Sequence, residues 1–270
     1  MCDIRGTVKK ETGRVLVGDF VEIIKDDLSD KHIVTKVYDR QNCLLRPPLA
    51  NLQQLFIVVA KAPQPDFFLV DKLIIYCFIN DISPILVINK KDLFTEHEIN
   101  NIKAQYNDVV DEILIVSAIE DNIEFLQNYL KNKLSAFAGQ SAVGKSTLIN
   151  KLIPNLNLQT NGLSLKIDRG KHTTRHSEIY VKDNIKIVDT PGFSMLELGD
   201  IEPDELNMFY PEFDEFKNKC VYNNCCHIKA AECDCGVYSA VIRGLINSDR
   251  YERYCVLYES LLEKWRKKYD

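Results

Sequence analysis

The sequence predicts a multidomain protein: a small N-terminal β-barrel of OB-fold type, a central α/β sheet, and a C-terminal α-helical region that binds zinc. Three observations carry that prediction. Apolar strand-like runs alternate with helix-period stretches between residues 55 and 138, the pattern of a parallel sheet covered on both faces. The stretch Gly139 to Thr147, GQSAVGKST, fits the phosphate-loop pattern G-x-x-x-x-G-K-[ST] between an apolar run and a helix-like run. Five cysteines crowd into Cys220 to Cys235, a density that points to a metal.

Size and composition set the limits. A chain of 270 residues has room for two or three domains, and the expected division is 1–50, 51–198 and 199–270. Hydrophobic residues at 46% support packed cores. A net charge of -5 gives bulk electrostatics no case for nucleic acid, so any such contact must come from local patches. The N-terminus lacks the apolar core of a secretory signal, and no later run is long and uncharged enough to span a membrane. A cytosolic, monomeric protein without a membrane partner is expected. In that reducing setting the nine cysteines are metal ligands or free thiols, not disulfides.

From Gly6 to Arg46, short β-rich segments alternate with turns: Arg14 to Val17, a Gly18-Asp19 turn, Phe20 to Ile24, then His32 to Tyr38. Close-spaced short strands suggest the barrel, which either offers an RNA-binding face or simply docks on its neighbour. Pro47-Pro48 and Asn51 to Gln54 read as a linker. Leu55 to Ala60, LFIVVA, is the continuous apolar run of a strand buried on both faces. Helices are expected over Phe67 to Phe78, Glu96 to Gln105 and Ile123 to Leu130, and strands over Ile85 to Ile88, Glu112 to Val116 and Leu134 to Ala138. A ligand belongs at the carboxyl ends of those strands.

The motifs fall at those ends. In the phosphate loop the glycines Gly139 and Gly144 let the backbone amides of Gln140, Ser141, Ala142 and Val143 turn inward, and the following helix start adds partial positive charge. Lys145 would reach the β- and γ-phosphates, Ser146 closes the motif and would ligate Mg²⁺, and Thr147 follows it as a further nucleotide-site candidate. Ile85 to Ile88 leads into Asn89-Lys90-Lys91-Asp92, the N-K-x-D arrangement of GTPases. Asp92 would accept from both guanine N1–H and the exocyclic amine, with Asn89 bracing the loop and the Lys90 stem packing along the base. The next strand ends in Ser117-Ala118, where the same resemblance to GTPases implies a backbone contact to the guanine oxygen. Ser164 to His176 is polar and basic, like a switch segment. Thr173 and Thr174 are candidates to complete the Mg²⁺ shell, and Thr174 is favoured. Strands over Glu178 to Lys182 and Lys186 to Val188 precede Asp189-Thr190-Pro191-Gly192, where Asp189 would hold Mg²⁺ through water and the Gly192 N–H would touch the γ-phosphate.

Phe193 follows that D-x-x-G, a position where many GTPases carry a water-orienting glutamine. His172 is the candidate to orient the water instead, with contact to solvent or RNA phosphate as its alternative role. N-K-x-D precedes the phosphate loop, the reverse of the usual order, so the domain reads as circularly permuted. That order leads the D-x-x-G switch through Phe193 to Leu198 into the C-terminal region. There Cys220-x4-Cys225-x-His227-x5-Cys233 supplies ligands for one structural Zn²⁺ with no open position, while Cys226 and Cys235 leave the ligand choice open. Helices are expected over Val237 to Ile246 and Arg250 to Lys268. The basic Lys264-Trp265-Arg266-Lys267-Lys268 end either meets RNA phosphates or is a solvated helix terminus.

The permuted order of N-K-x-D, S-A, G-x-x-x-x-G-K-S, T-T and D-T-P-G-F, followed by the cysteine–histidine cluster, resembles the small ribosomal subunit biogenesis GTPase RsgA family over essentially the whole chain. The phrase Arg169 to His176, RGKHTTRH, is similar to that family's switch. The resemblance implies an OB-fold, a circularly permuted P-loop GTPase domain and a zinc-binding helical domain. It further implies GTP/GDP and Mg²⁺ as ligands, and GTP hydrolysis stimulated by the small (30S-type) ribosomal subunit and its rRNA late in maturation.

Overall fold

The computed structural model describes residues 2–4, 8, 14–25, 31–119, 123–153, 177–189, 198, 201–228, 231 and 233–269. Strands β1 (Cys2–Ile4), β2 (Val21–Lys25) and β3 (His32–Val37) form a three-stranded sheet in the order β1-β3-β2. A hairpin of β4 (Cys43–Leu45) and β5 (Pro48–Ala50) follows. Among the described residues no ladder joins these two sheets into one barrel. The strand expected over Arg14 to Val17 reduces to a single bridge from Val17 to Leu49, because the Leu16 N–H is turned onto the Asp19 carboxylate at 2.7 Å. The hairpin buries Leu44 and Leu49 in the same core as the central sheet, so the N-terminal region docks on its neighbour.

The central sheet consists of β6 (Gln54–Ala60), β7 (Ser83–Asn89), β8 (Glu112–Ile115), β9 (Leu134–Ala138), β10 (Glu178–Lys182) and β11 (Ile185–Asp189). Its order is β10-β11-β9-β6-β7-β8, parallel except for the antiparallel β10–β11 pair. The carboxyl ends of the five parallel strands therefore share one edge.

Two-residue periodicity sorts the buried side chains into two layers. Leu55, Ile57 and Val59 face helices α1 (Phe67–Ile79) and α2 (Glu96–Tyr106). Phe56, Val58 and Ala60 face α3 (Leu126–Leu130) and α4 (Lys145–Leu152), with Phe56 stacked on Phe137 at 4.9 Å. Local chemistry fixes the helix starts. Asp66 caps α1 by accepting from the Leu69 N–H at 3.0 Å, and Thr95 with Glu98 forms a capping box on α2.

The C-terminal region has less regular structure: 3-10 helices over Pro203–Phe209 and Pro211–Phe213, then α5 (Asp214–Lys217), α6 (Gly236–Ile242) and α7 (Ser248–Tyr269). Its core is aromatic, with Tyr254 edge-on to Tyr210 at 4.9 Å and to Phe213 at 5.0 Å. Helix α1 joins it to the sheet. While Leu73 and Ile74 pack on the sheet, Ile75 belongs to the C-terminal core. Asp71, fully buried, accepts from Arg250 Nη1 at 2.6 Å, Arg253 Nε at 2.5 Å and the Tyr106 hydroxyl at 2.9 Å. Burial opposes charge on Arg250, but the Asp71 and Glu212 carboxylates outweigh it and hold its guanidinium above its ordinary value. Among the described residues, no helix is long and apolar enough to cross a membrane.

Candidate nucleotide site and metal centre

The phosphate loop leaves β9 and enters α4 at the shared carboxyl edge. Two glycines are required by close approach and by φ. A Cβ at Gly139 (φ +130) would lie 2.3 Å from the Val58 carbonyl, and one at Gly144 (φ +100) 2.3 Å from Asn89 Nδ2. The Lys145 ammonium donates to the Gly139 carbonyl at 2.8 Å and the Gln140 carbonyl at 2.5 Å, so its charge lies over the loop. Ser146 and Thr147 occupy the first turn of α4, where unpaired amides and the helix dipole favour anions.

Asn89 ties the loops together. At 1% exposure, its Nδ2 donates to the Val143 carbonyl at 2.8 Å and its Oδ1 accepts from the Ala118 N–H at 3.0 Å. One amide thus braces N-K-x-D against both the phosphate loop and the Ser117-Ala118 turn. Lys90, in the left-handed region at φ 57, donates to the Ala62 carbonyl at 2.6 Å and to that of Ala142 at 2.9 Å. Ala142 is itself left-handed at φ 65, so Lys90 holds a conformation that costs a non-glycine residue about 1–2 kcal/mol. Asp92 is exposed in the 3-10 turn Lys91–Leu93, and the Lys91 N–H meets the Val116 carbonyl at 3.1 Å.

The structure therefore brings together Asn89, Lys90, Ser117, Ala118 and Gly139 to Thr147, with Asp92 on the next turn. Asp189 ends β11, directly beside β9. His172, Thr173, Thr174, Gly192 and Phe193 lie outside the described residues.

The metal centre differs from expectation at one ligand. Cys220, Cys225, His227 and Cys235 place their donor atoms within 4.8 Å of one another, and the expected ligand Cys233 is not among them. The cause is local. The Asp234 N–H bonds back to the Ala231 carbonyl, and this turn leaves Cys233 exposed, its thiol directed at the Asp234 carboxylate at 3.4 Å. Cys235 falls inward at the start of α6, where its sulfur accepts the Tyr238 N–H at 3.3 Å. The sequence signal was available: Cys235 stands immediately before a helix-opening glycine.

The donor set fits zinc. Tetrahedral zinc with bonds of about 2.3 Å to sulfur and 2.0 Å to nitrogen puts sulfurs about 3.8 Å apart and sulfur about 3.5 Å from nitrogen. Cys220 and Cys235 sulfurs are 3.9 Å apart, and His227 Nδ1 is 3.5 Å and 3.4 Å from them. The Gly236 N–H donates to Cys220 Sγ at 3.3 Å, and Tyr251 donates to the His227 carbonyl at 2.6 Å, the kind of outer-shell support that orients ligands. Burial keeps His227 neutral by lowering its pKa and pushes the Cys235 thiol up to about 12. A bound cation reverses the latter by taking the thiolate.

A phosphate loop, an N-K-x-D turn and a braced S-A turn on one sheet edge, met in permuted chain order, define a circularly permuted P-loop GTPase. A family model described as RsgA GTPase matches residues 37–199. A Clostridium perfringens (strain 13) protein named small ribosomal subunit biogenesis GTPase RsgA is 38% identical over 97% of this chain and 91% of its own length. A Geobacillus sp. (strain WCH70) protein of the same name is 40% identical over 97% of this chain and 90% of its own. The crystal structure of YjeQ from Thermotoga maritima superposes with TM-score 0.82 at 33% identity, covering 97% of this chain and 89% of that one. The chain belongs to the RsgA GTPase family, a family of GTP-hydrolysing enzymes.

Proposed function

We propose that this GTPase acts on the small ribosomal subunit late in its maturation, binding in the GTP state and leaving once GTP is hydrolysed to GDP and phosphate, with turnover stimulated by the subunit. The relatives' names support the ribosomal setting. The observation that carries the nucleotide half is Asn89, whose amide ties three loops together at the carboxyl edge of the sheet.

In this reading Asp92 reads guanine, the Ser117-Ala118 backbone contacts its oxygen, and Gly139 to Thr147 surround the phosphates. Lys145 neutralises charge on the transferred group. Ser146 and Thr174 would hold Mg²⁺ with help from Asp189, and the Gly192 N–H would meet the γ-phosphate. A magnesium ion held there would supply charge neutralisation at the phosphates. His172 orients the attacking water, a task the ring of Phe193 cannot perform. Cys220, Cys225, His227 and Cys235 hold one structural zinc with no position left for a substrate. The N-terminal strands and the cysteine–histidine region make the rRNA contacts, and the protein works as a cytoplasmic monomer.

Multiple-turnover GTP hydrolysis with and without purified small subunits, together with co-sedimentation of GTP-analogue and GDP forms, tests this. Stimulated turnover and GTP-dependent co-sedimentation are expected. Equal turnover with and without subunits, or absence from the subunit pellet, rejects the proposal; near-zero turnover that subunits do not raise favours a GTP-sensing RNA-binding module.

A further inference from the structure

The phosphate loop and the C-terminal helix touch opposite ends of the same short stretch of α1. At one end, Gln140 Oε1 accepts the Asp66 N–H at 3.0 Å, just where α1 begins. The Gln140 carbonyl is also one of the two that hold the Lys145 ammonium. At the other end, Asp71 is clamped by Arg250 and Arg253 of α7. Five residues of helix, about 7.5 Å of rise, separate the two contacts. The clamp is over-determined: Arg253 also donates to Gln105 at 2.9 Å and the Tyr106 hydroxyl at 3.2 Å, and its guanidinium lies over the Phe67 ring at 5.4 Å. Phe67 is the first residue of α1. The arginine therefore touches both the middle and the start of the helix that Gln140 meets.

We infer that Gln140 and Arg253 are positioning residues for the nucleotide reaction, joined through α1, so that the C-terminal region sets how well the phosphate loop is organised for its ligand. The inference rests on guanine nucleotide binding at this loop. Neither side chain needs to touch the reacting atoms. A buried carboxylate fixed by two guanidinium groups and a tyrosine gives α1 one seat, and that seat fixes Asp66 beneath the loop. Linkage makes the effect reciprocal: whatever moves α7 changes nucleotide affinity, and nucleotide binding changes the hold on α7 by the same factor. This route is separate from the switch segment leading to Leu198.

A double-mutant cycle on Mg·GDP affinity in the full zinc-loaded chain tests it. R253M leaves Asp71 the Arg250 guanidinium, which it shares with Glu212, but frees the start of α1, and Q140A removes the acceptor for the Asp66 N–H. Each single variant is expected to weaken GDP binding about fivefold, the lower end of ordinary coupling. The double variant is expected to be no weaker than the weaker single. A purely structural arginine would lower the melting temperature without this non-additivity. Losses that multiply, giving about 25-fold in the double variant, or an R253M chain that binds GDP as wild type does, overturn the coupling while leaving the nucleotide site standing. A wild-type chain without affinity for GDP overturns both. If R253M does not fold, Arg253→Lys keeps the charge and serves in its place, with a smaller loss expected and the same requirement that Q140A abolish it.

Discussion

The central sheet and the C-terminal region solve the same problem by opposite means. Every residue of β6 and β9 is buried, so the sheet carries two apolar layers of its own and needs nothing bound to stay folded. Its loops can then be spent on ligand contacts and on left-handed residues such as Lys90 and Ala142. The C-terminal region has 3-10 turns, a four-residue helix and an aromatic core interrupted by cysteines. Between residues 220 and 235 it gathers three thiols and one imidazole whose donor atoms lie within 4.8 Å of one another, a set that fits zinc. Packed apolar layers hold one region, and the other brings a zinc-compatible ligand set into an aromatic core.

Stripping zinc is the largest expected break in this comparison. Structural zinc is worth about 10–16 kcal/mol in small folds, comparable to the whole stability of a domain. Chelation, or Cys235→Ser, is expected to collapse the near-ultraviolet tyrosine signal of the C-terminal core while the sheet stays folded. A signal that survives metal removal would mean that the aromatic core stands alone. At the other pole, Lys145→Ala leaves both cores intact and is expected to cut GTP turnover about 10²–10³-fold, the scale of one lost preorganised contact; stopped assays at saturating GTP measure it. Asn89→Ala orphans the Val143 carbonyl and the Ala118 N–H, at about 1–3 kcal/mol, seen as a lower urea midpoint and weaker GDP binding. Cys233→Ser, on an exposed turn, is expected to stay within about 0.5 kcal/mol of wild type and to retain its zinc by metal analysis.

Legibility in the sequence followed the same divide. The alternation of LFIVVA with helix-period stretches, and glycines at fixed spacing, let local pattern specify the sheet and its loops, because those rules act over a few residues. What was missed depends either on contacts far apart in the chain or on a single local side-chain or turn contact that pattern does not encode. Asp71 sits in the helical run FFLVDKLIIYCFI, where one carboxylate looks like a solvated position; its partners Arg250 and Arg253 arrive about 180 residues later. The choice of Cys235 over Cys233 turned on a two-residue turn that spacing alone does not resolve. The strand expected at Arg14 to Val17 gave way to the side chain of Asp19.

The central claim is that loops from separate strands form one guanine-reading pocket, and calorimetric titration of the wild-type protein and Asp92→Asn with Mg·GDP and Mg·ADP addresses it most directly. Wild type is expected to bind GDP and to ignore ADP, and Asp92→Asn to lose GDP affinity by tenfold or more, about 1.4 kcal/mol. Comparable binding of ADP and GDP by wild type, or undiminished GDP binding by the variant, would contradict it.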